Sequence, residues 1–185
     1  MRKLVSSQLF FFLAIAMVCY SSCKKTNDLT AVDVTLKLPR TYFTYTSPVL
    51  KSGEVILYTG MISLNLDSLL NVYEFSSGVI QNTYFTNLTV SIEQHPSVTL
   101  GWLSSMRATV SDDQTFQAEK QIGSLTNTDP NATSVTVAMN NLNFRPYLTK
   151  PGFYLRLYGV PSGQPPANTL SMFFDGSIQF RINPS

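Results

Sequence analysis

His95 is the chain's one histidine, and it stands before Pro96 at what reads as a strand end. A histidine-based zinc site needs Cys or clustered carboxylates beside it, and a histidine base serving a serine would come with a motif such as GxSxG, which this sequence lacks. His95 therefore reads as an exposed loop residue. Glycoside hydrolysis needs two carboxylates about 5 to 9.5 Å apart across a cleft. Asp112 and Asp113 are adjacent in a turn, where Asp is favoured because it bonds nearby backbone. Glu54, Glu74, Glu93, Glu119 and Asp175 are scattered, so a carboxylate-based hydrolase stands only as a weak alternative. Asn127, Asp129 and Asn131 alternate oxygen side chains as calcium loops do, but without the glycine and terminal glutamate of an EF-hand. No glycine-rich phosphate loop opens a helix, and no metal or cofactor is expected.

Aromatic residues are the remaining chemistry, making up 12% of the chain. Tyr42 and Tyr45, with Trp102, could form a platform on which sugar rings stack, which makes a carbohydrate-binding accessory protein the second reading. The simpler expectation is that aromatics fill the core and faces of sheets, where they are favoured.

The elements that must position these residues are strands. From residue 31 apolar side chains recur with period two, the mark of half-buried strands. Val32, Val34, Leu36 and Leu38 form one such set, ending at Pro39. Leu88, Val90 and Ile92 form a second, Met106, Ala108 and Val110 a third, and Val135, Val137 and Met139 a fourth. Turn-prone segments separate them.

Asp175-Gly176 is a strong hairpin signal. Parity argues against a hairpin, because one continuous strand puts Leu170, Met172, Phe174, Gly176, Ile178, Phe180 and Ile182 on a single face. Residues 54–66 share the design, with Ile56, Tyr58, Gly60, Ile62, Leu64 and Leu66 in one parity. A glycine on an inner face marks a bend, a bulge or a close approach, either of the chain's own backbone or of a ligand. Helix is scarce: Asp67–Tyr73 can make about two turns with Asp67 as N-cap, while 100–103 and 145–148 can each make one. The expected fold is all-β: a single antiparallel β-sandwich of about seven to nine strands over residues 31–185. Its general architecture is immunoglobulin-like, an analogy that transfers no activity.

The first 22 residues read as an export signal, with Arg2 and Lys3 ahead of an apolar run from Leu9 to Tyr20. That run is short of the ~20 residues a membrane span needs, which fits a cleaved signal. Its ending, Tyr20-Ser21-Ser22-Cys23, resembles the lipobox of bacterial lipoproteins, with Tyr20 where the family prefers an aliphatic residue. The resemblance implies cleavage before Cys23, acylation of that cysteine, and a membrane partner reached through its acyl chains. Two or more chains exceed what stable anchoring needs. Lys24 stands where an Asp would retain the family's members in the inner membrane, so the outer membrane is favoured. Cleavage also removes Cys19, leaving Cys23 without a partner for an internal disulfide.

Residues 23–30 then form a polar tether. The formal charge of +2 disappears with Arg2 and Lys3, and a mature chain without a basic excess gives nucleic acid no footprint. The leading functional expectation is a lipid-anchored protein of the cell envelope, acting without catalysis as a binding or structural module for an envelope protein or a glycan.

Overall fold

The computed structural model describes residues 31–46, 53–64, 80–93, 98–127, 129–165 and 169–182. These contain ten strands: β1 (Val32–Lys37), β2 (Thr41–Thr46), β3 (Val55–Ser63), β4 (Ile80–Ile92), β5 (Leu103–Ser111), β6 (Lys120–Thr126), β7 (Ser134–Thr136), β8 (Ala138–Met139), β9 (Gly152–Pro161) and β10 (Thr169–Ile182). A single helical turn, α1 (Arg145–Leu148), precedes β9. The expected helix at Asp67–Tyr73 lies outside the described residues, as does His95. Residues 100–103 make a turn, closed by the Leu103 amide donating to the Leu100 carbonyl at 3.0 Å.

The strands form two antiparallel sheets. One runs β1-β10-β4-β7, with β2 also paired to β10, and the other runs β3-β9-β5-β6-β8. Ten strands appear where about seven to nine were expected because two strands are interrupted. β1 and β2 are both antiparallel to β10, meeting its C-terminal and N-terminal halves in turn. Pro39 sits in the gap between them, where a ladder amide would be missing. The 134–139 segment begins on β4 and ends on β6; at its crossing point the Val137 amide donates to the Leu88 carbonyl at 2.9 Å. With each interrupted pair counted once, the chain passes between sheets at every step from β1 to β7 except the β5–β6 hairpin, and β9 and β10 close the two sheets. This order of eight strands in two sheets is that of a jelly roll, one of the double-sheet ways to bury two apolar faces.

β10 crosses Asp175-Gly176 without turning. All seven residues of the expected parity, Leu170 through Ile182, are buried, and their neighbours face outward. Gly176 is on the inner face because Leu38 needs the space: a Cβ there would stand 3.0 Å from Leu38 Cδ1. The ladder irregularities fall beyond it, between Ser177 and Ile178 and between Gln179 and Arg181, where β4 carries the extra residues.

β3 corrects the single-parity reading. The register shifts between Ile56 and Tyr58, so Leu57 is the extra residue of a bulge that exchanges the two faces. Val55 before the bulge, Leu57 in it and Ile62 after it are buried, while Ile56 is 50% exposed. Gly60 is covered by its own strand, since the Tyr58 ring lies where a Cβ would project. That contact fills the space a ligand resting on the bare glycine would need.

Both inner faces meet in one core. Phe144, Phe153, Phe174 and Phe180 are its largest fully buried side chains. Phe144 packs edge-on against Phe85 and Phe153, with ring centroids 4.7 and 4.8 Å away. Each such ring removed from water contributes about 1.5–3 kcal/mol, and a chain of this length needs no internal disulfide to bury a core.

Candidate functional site

β4 departs from regular pairing at its first turn of chain. Asn82 has φ of 47°, a left-handed conformation Asn tolerates better than most residues, and the ladder slips there against β10. The bulge re-aims its neighbours: Ile80 and Thr83 are buried, Gln81 and Asn82 are exposed, and Tyr84 is half-buried. The 140–145 segment lies alongside. Its Phe144 amide donates to the Thr83 carbonyl at 2.7 Å, and the Phe144 ring is anchored in the core.

Between these walls is a groove of about 540 Å³ lined by Gln81, Asn82, Thr83, Tyr84, Asn141, Asn143 and Arg145. That volume is in the range of ligand sites, but ligand pockets are mostly apolar and this one is dominated by side-chain amides. Asn140 and Asn143 brace the wall: Asn140 donates to the Gln121 carbonyl at 2.6 Å and accepts from the Leu142 amide at 3.0 Å. Asn143 accepts from the Arg145 amide at 3.1 Å. Among the described residues the Arg145 guanidinium has no carboxylate partner, and the buried Thr83 hydroxyl has no hydrogen-bond partner.

A second polar cluster covers the outer face of the β3-β9-β5-β6 sheet. Arg107 forks onto Glu54, with both nitrogen to oxygen distances 2.6 Å, and lies 3.6 Å from the Tyr158 ring centroid. Arg156 lies 3.7 Å from the Phe116 ring. Glu119 accepts from Thr109 at 2.9 Å and from Tyr158 at 2.9 and 3.1 Å, with Arg107 3.6 Å away. Burial acts to raise the Glu119 pKa, but the hydrogen bonds from Tyr158 and Thr109 and the charges of Arg107 and Arg156 outweigh it and hold the carboxyl below its ordinary range. A general acid needs the opposite shift. Glu54 and Glu119 therefore meet on an arginine, in an arrangement suited to bracing the sheet.

The remaining residues singled out in the sequence have structural surroundings. Asp113 accepts from the Thr115 hydroxyl and from the amides of Thr115 and Phe116, which folds the 112–119 segment over the sheet and places Phe116 at φ of 57°. Asp112 pairs with Lys150 at 2.6 Å. Asn127 and Asp129 spend their oxygens on the amides of Asp129 and Asn131, which makes this segment successive backbone-binding turns. Among the described residues no cluster of metal-ligating side chains occurs.

The aromatic platform of Tyr42, Tyr45 and Trp102 is not assembled. Tyr45 and Trp102 are 5% and 6% exposed, and their rings stack at 5.4 Å inside the core. Tyr42 is 57% exposed on the opposite face of β2, 5.7 Å from Phe173. The physical reason is strand parity: residues three apart point to opposite sides. Cys23 lies outside the described residues. The amide groove escaped the sequence reading, although both its walls are visible as short runs, Gln81-Asn82-Thr83-Tyr84 and Asn140-Asn141-Leu142-Asn143. Only the fold brings them together.

No family model matches the chain, and no curated protein matches it. Among solved structures it is similar to that of infectious bursal disease virus, Gt strain, at 15% identity and a TM-score of 0.38, over 83% of this chain and 33% of that one. It is also similar to the decameric BFDV capsid protein, at 11% identity and a TM-score of 0.38, over 83% of this chain and 100% of that one. A third is the protein FLHE, at 8% identity and a TM-score of 0.31, covering 82% and 98% of the two chains. The chain thus spans about a third of the length of the bursal disease virus chain it matches. The fold that the two sheets define is an all-β sandwich.

Proposed function

We propose that this protein is a lipid-anchored, non-enzymatic binding module of the cell envelope, held at the outer membrane by acyl chains on Cys23. The observation that carries the anchor is the short apolar run ending in Tyr20-Ser21-Ser22-Cys23. A preference for recognition over reaction is supported by the groove beside β4, whose lining offers amides, hydroxyls and a guanidinium and no carboxylate. Glu54 and Glu119 are both held in ion pairs with Arg107. The partner is an envelope protein or a glycan.

The anchor is tested by the mass of the mature protein. A chain beginning at Cys23 and carrying acyl groups, with processing blocked by globomycin, is the expected result. A mature chain that begins elsewhere, or a Cys23→Ser variant that is processed and fractionates with membranes unchanged, overturns it.

A further inference from the structure

We infer that the groove between the Asn82 bulge of β4 and the 141–145 segment is a carbohydrate site that takes a short stretch of glycan through its hydroxyl groups. The inference rests on the reading of the protein as a binding module and assigns that module its ligand class.

A sugar ring presents neighbouring hydroxyls that each donate and accept. A side-chain amide is matched to such a pair because it holds an acceptor oxygen and a donor NH₂ in one plane. Asn82, Asn141 and Asn143 face one groove. Arg145 adds a planar fork of donors without a carboxylate partner among the described residues, and Tyr84 adds an aromatic face with a polar tip. An apolar ligand would find little to bury against here, and a metal ion would find no carboxylate.

Ordering side chains on binding costs affinity, and this groove has its walls fixed in advance. Phe144, fully buried, ties one wall to the core, its amide ties that wall to Thr83, and Asn140 and Asn143 are locked onto nearby backbone.

The test is titration of the full mature, acylated protein in detergent with four trisaccharides: cellotriose, maltotriose, chitotriose and trigalacturonate. Binding is followed by calorimetry and by the side-chain amide resonances of the protein. At least one trisaccharide is expected to bind and to shift the amides of Asn82 and Asn141. Asn141→Ala and Arg145→Met are expected to weaken that binding at least tenfold, with the melting temperature unchanged. Binding of the neutral sugars places a hydroxyl pair on Arg145, and binding of trigalacturonate alone places a carboxylate there. If none of the four binds at millimolar concentration, or if both variants bind as the parent does, the site assignment is wrong. Release of shorter sugars from a bound probe would instead overturn the non-enzymatic reading while leaving the groove occupied.

Discussion

Leu38 occupies the space that Gly176 leaves open. Its Cδ1 atom stands 3.0 Å from where a Cβ on Gly176 would project, and its amide donates to the Gly176 carbonyl at 2.9 Å. Leu38 is the last buried residue before Pro39 interrupts the edge, so this contact holds the broken strand, β1 followed by β2, onto the middle of β10.

Gly176→Val should therefore destabilise the protein by about 1–3 kcal/mol, the usual cost of overpacking a tight core. Leu38→Ala alone should cost about 2–5 kcal/mol through the cavity it leaves. The double variant should lose less than the two single losses combined, because the valine enters the space the leucine vacates. Urea unfolding of all four proteins measures the coupling, and strictly additive losses would show that the two side chains do not compete for one space.

How much of this was legible in the sequence follows from where the side-chain period holds. Along β10 it holds for fourteen residues, and the apolar parity outweighed a strong turn dipeptide. Along β3 the same reasoning failed at Ile56, because an extra residue at Leu57 leaves no mark in the pattern beyond two adjacent apolar positions. β4 is bulged twice, and the first bulge builds the groove. Bulges are set by pairing with a partner strand, so the residues that matter most for the site are those a single chain's pattern describes least. Tyr42 and Tyr45 are the opposite case: their spacing already placed them on opposite faces.

The network around Glu119 should make the fold sensitive to acid. The folded carboxyl titrates below its ordinary range, so the unfolded chain takes up a proton first on acidification. The stability this residue contributes is fully present above the unfolded value of about 4.3 and is lost as pH falls through the folded value. Glu119→Gln should lower stability by about 1 kcal/mol at pH 7, a figure discounted for partial exposure. The gap between parent and variant should narrow below pH 4. A gap that is constant from pH 7 to pH 3 would mean that the charge of Glu119 contributes nothing.

Trp102 is the chain's one tryptophan, and its fluorescence separates two candidate sites. It is buried against Tyr45 next to β5, where β4 ends, whereas the amide groove lies where β4 begins. Eight residues of strand from the last groove residue, Tyr84, to Ile92 at about 3.3 Å each put roughly 25 Å between the two. The emission should be that of an apolar environment, shift to the red on unfolding, and stay unchanged when a trisaccharide binds. Its indole N–H is buried without a hydrogen-bond partner, so Trp102→Phe removes an unpaired donor along with part of a ring. That variant should cost well under the about 3–5 kcal/mol expected for truncation of a buried tryptophan to alanine, and it should bind sugar as the parent does. Quenching of Trp102 by a bound trisaccharide, or loss of binding in Trp102→Phe, would move the site from the groove to the opposite end of the sandwich.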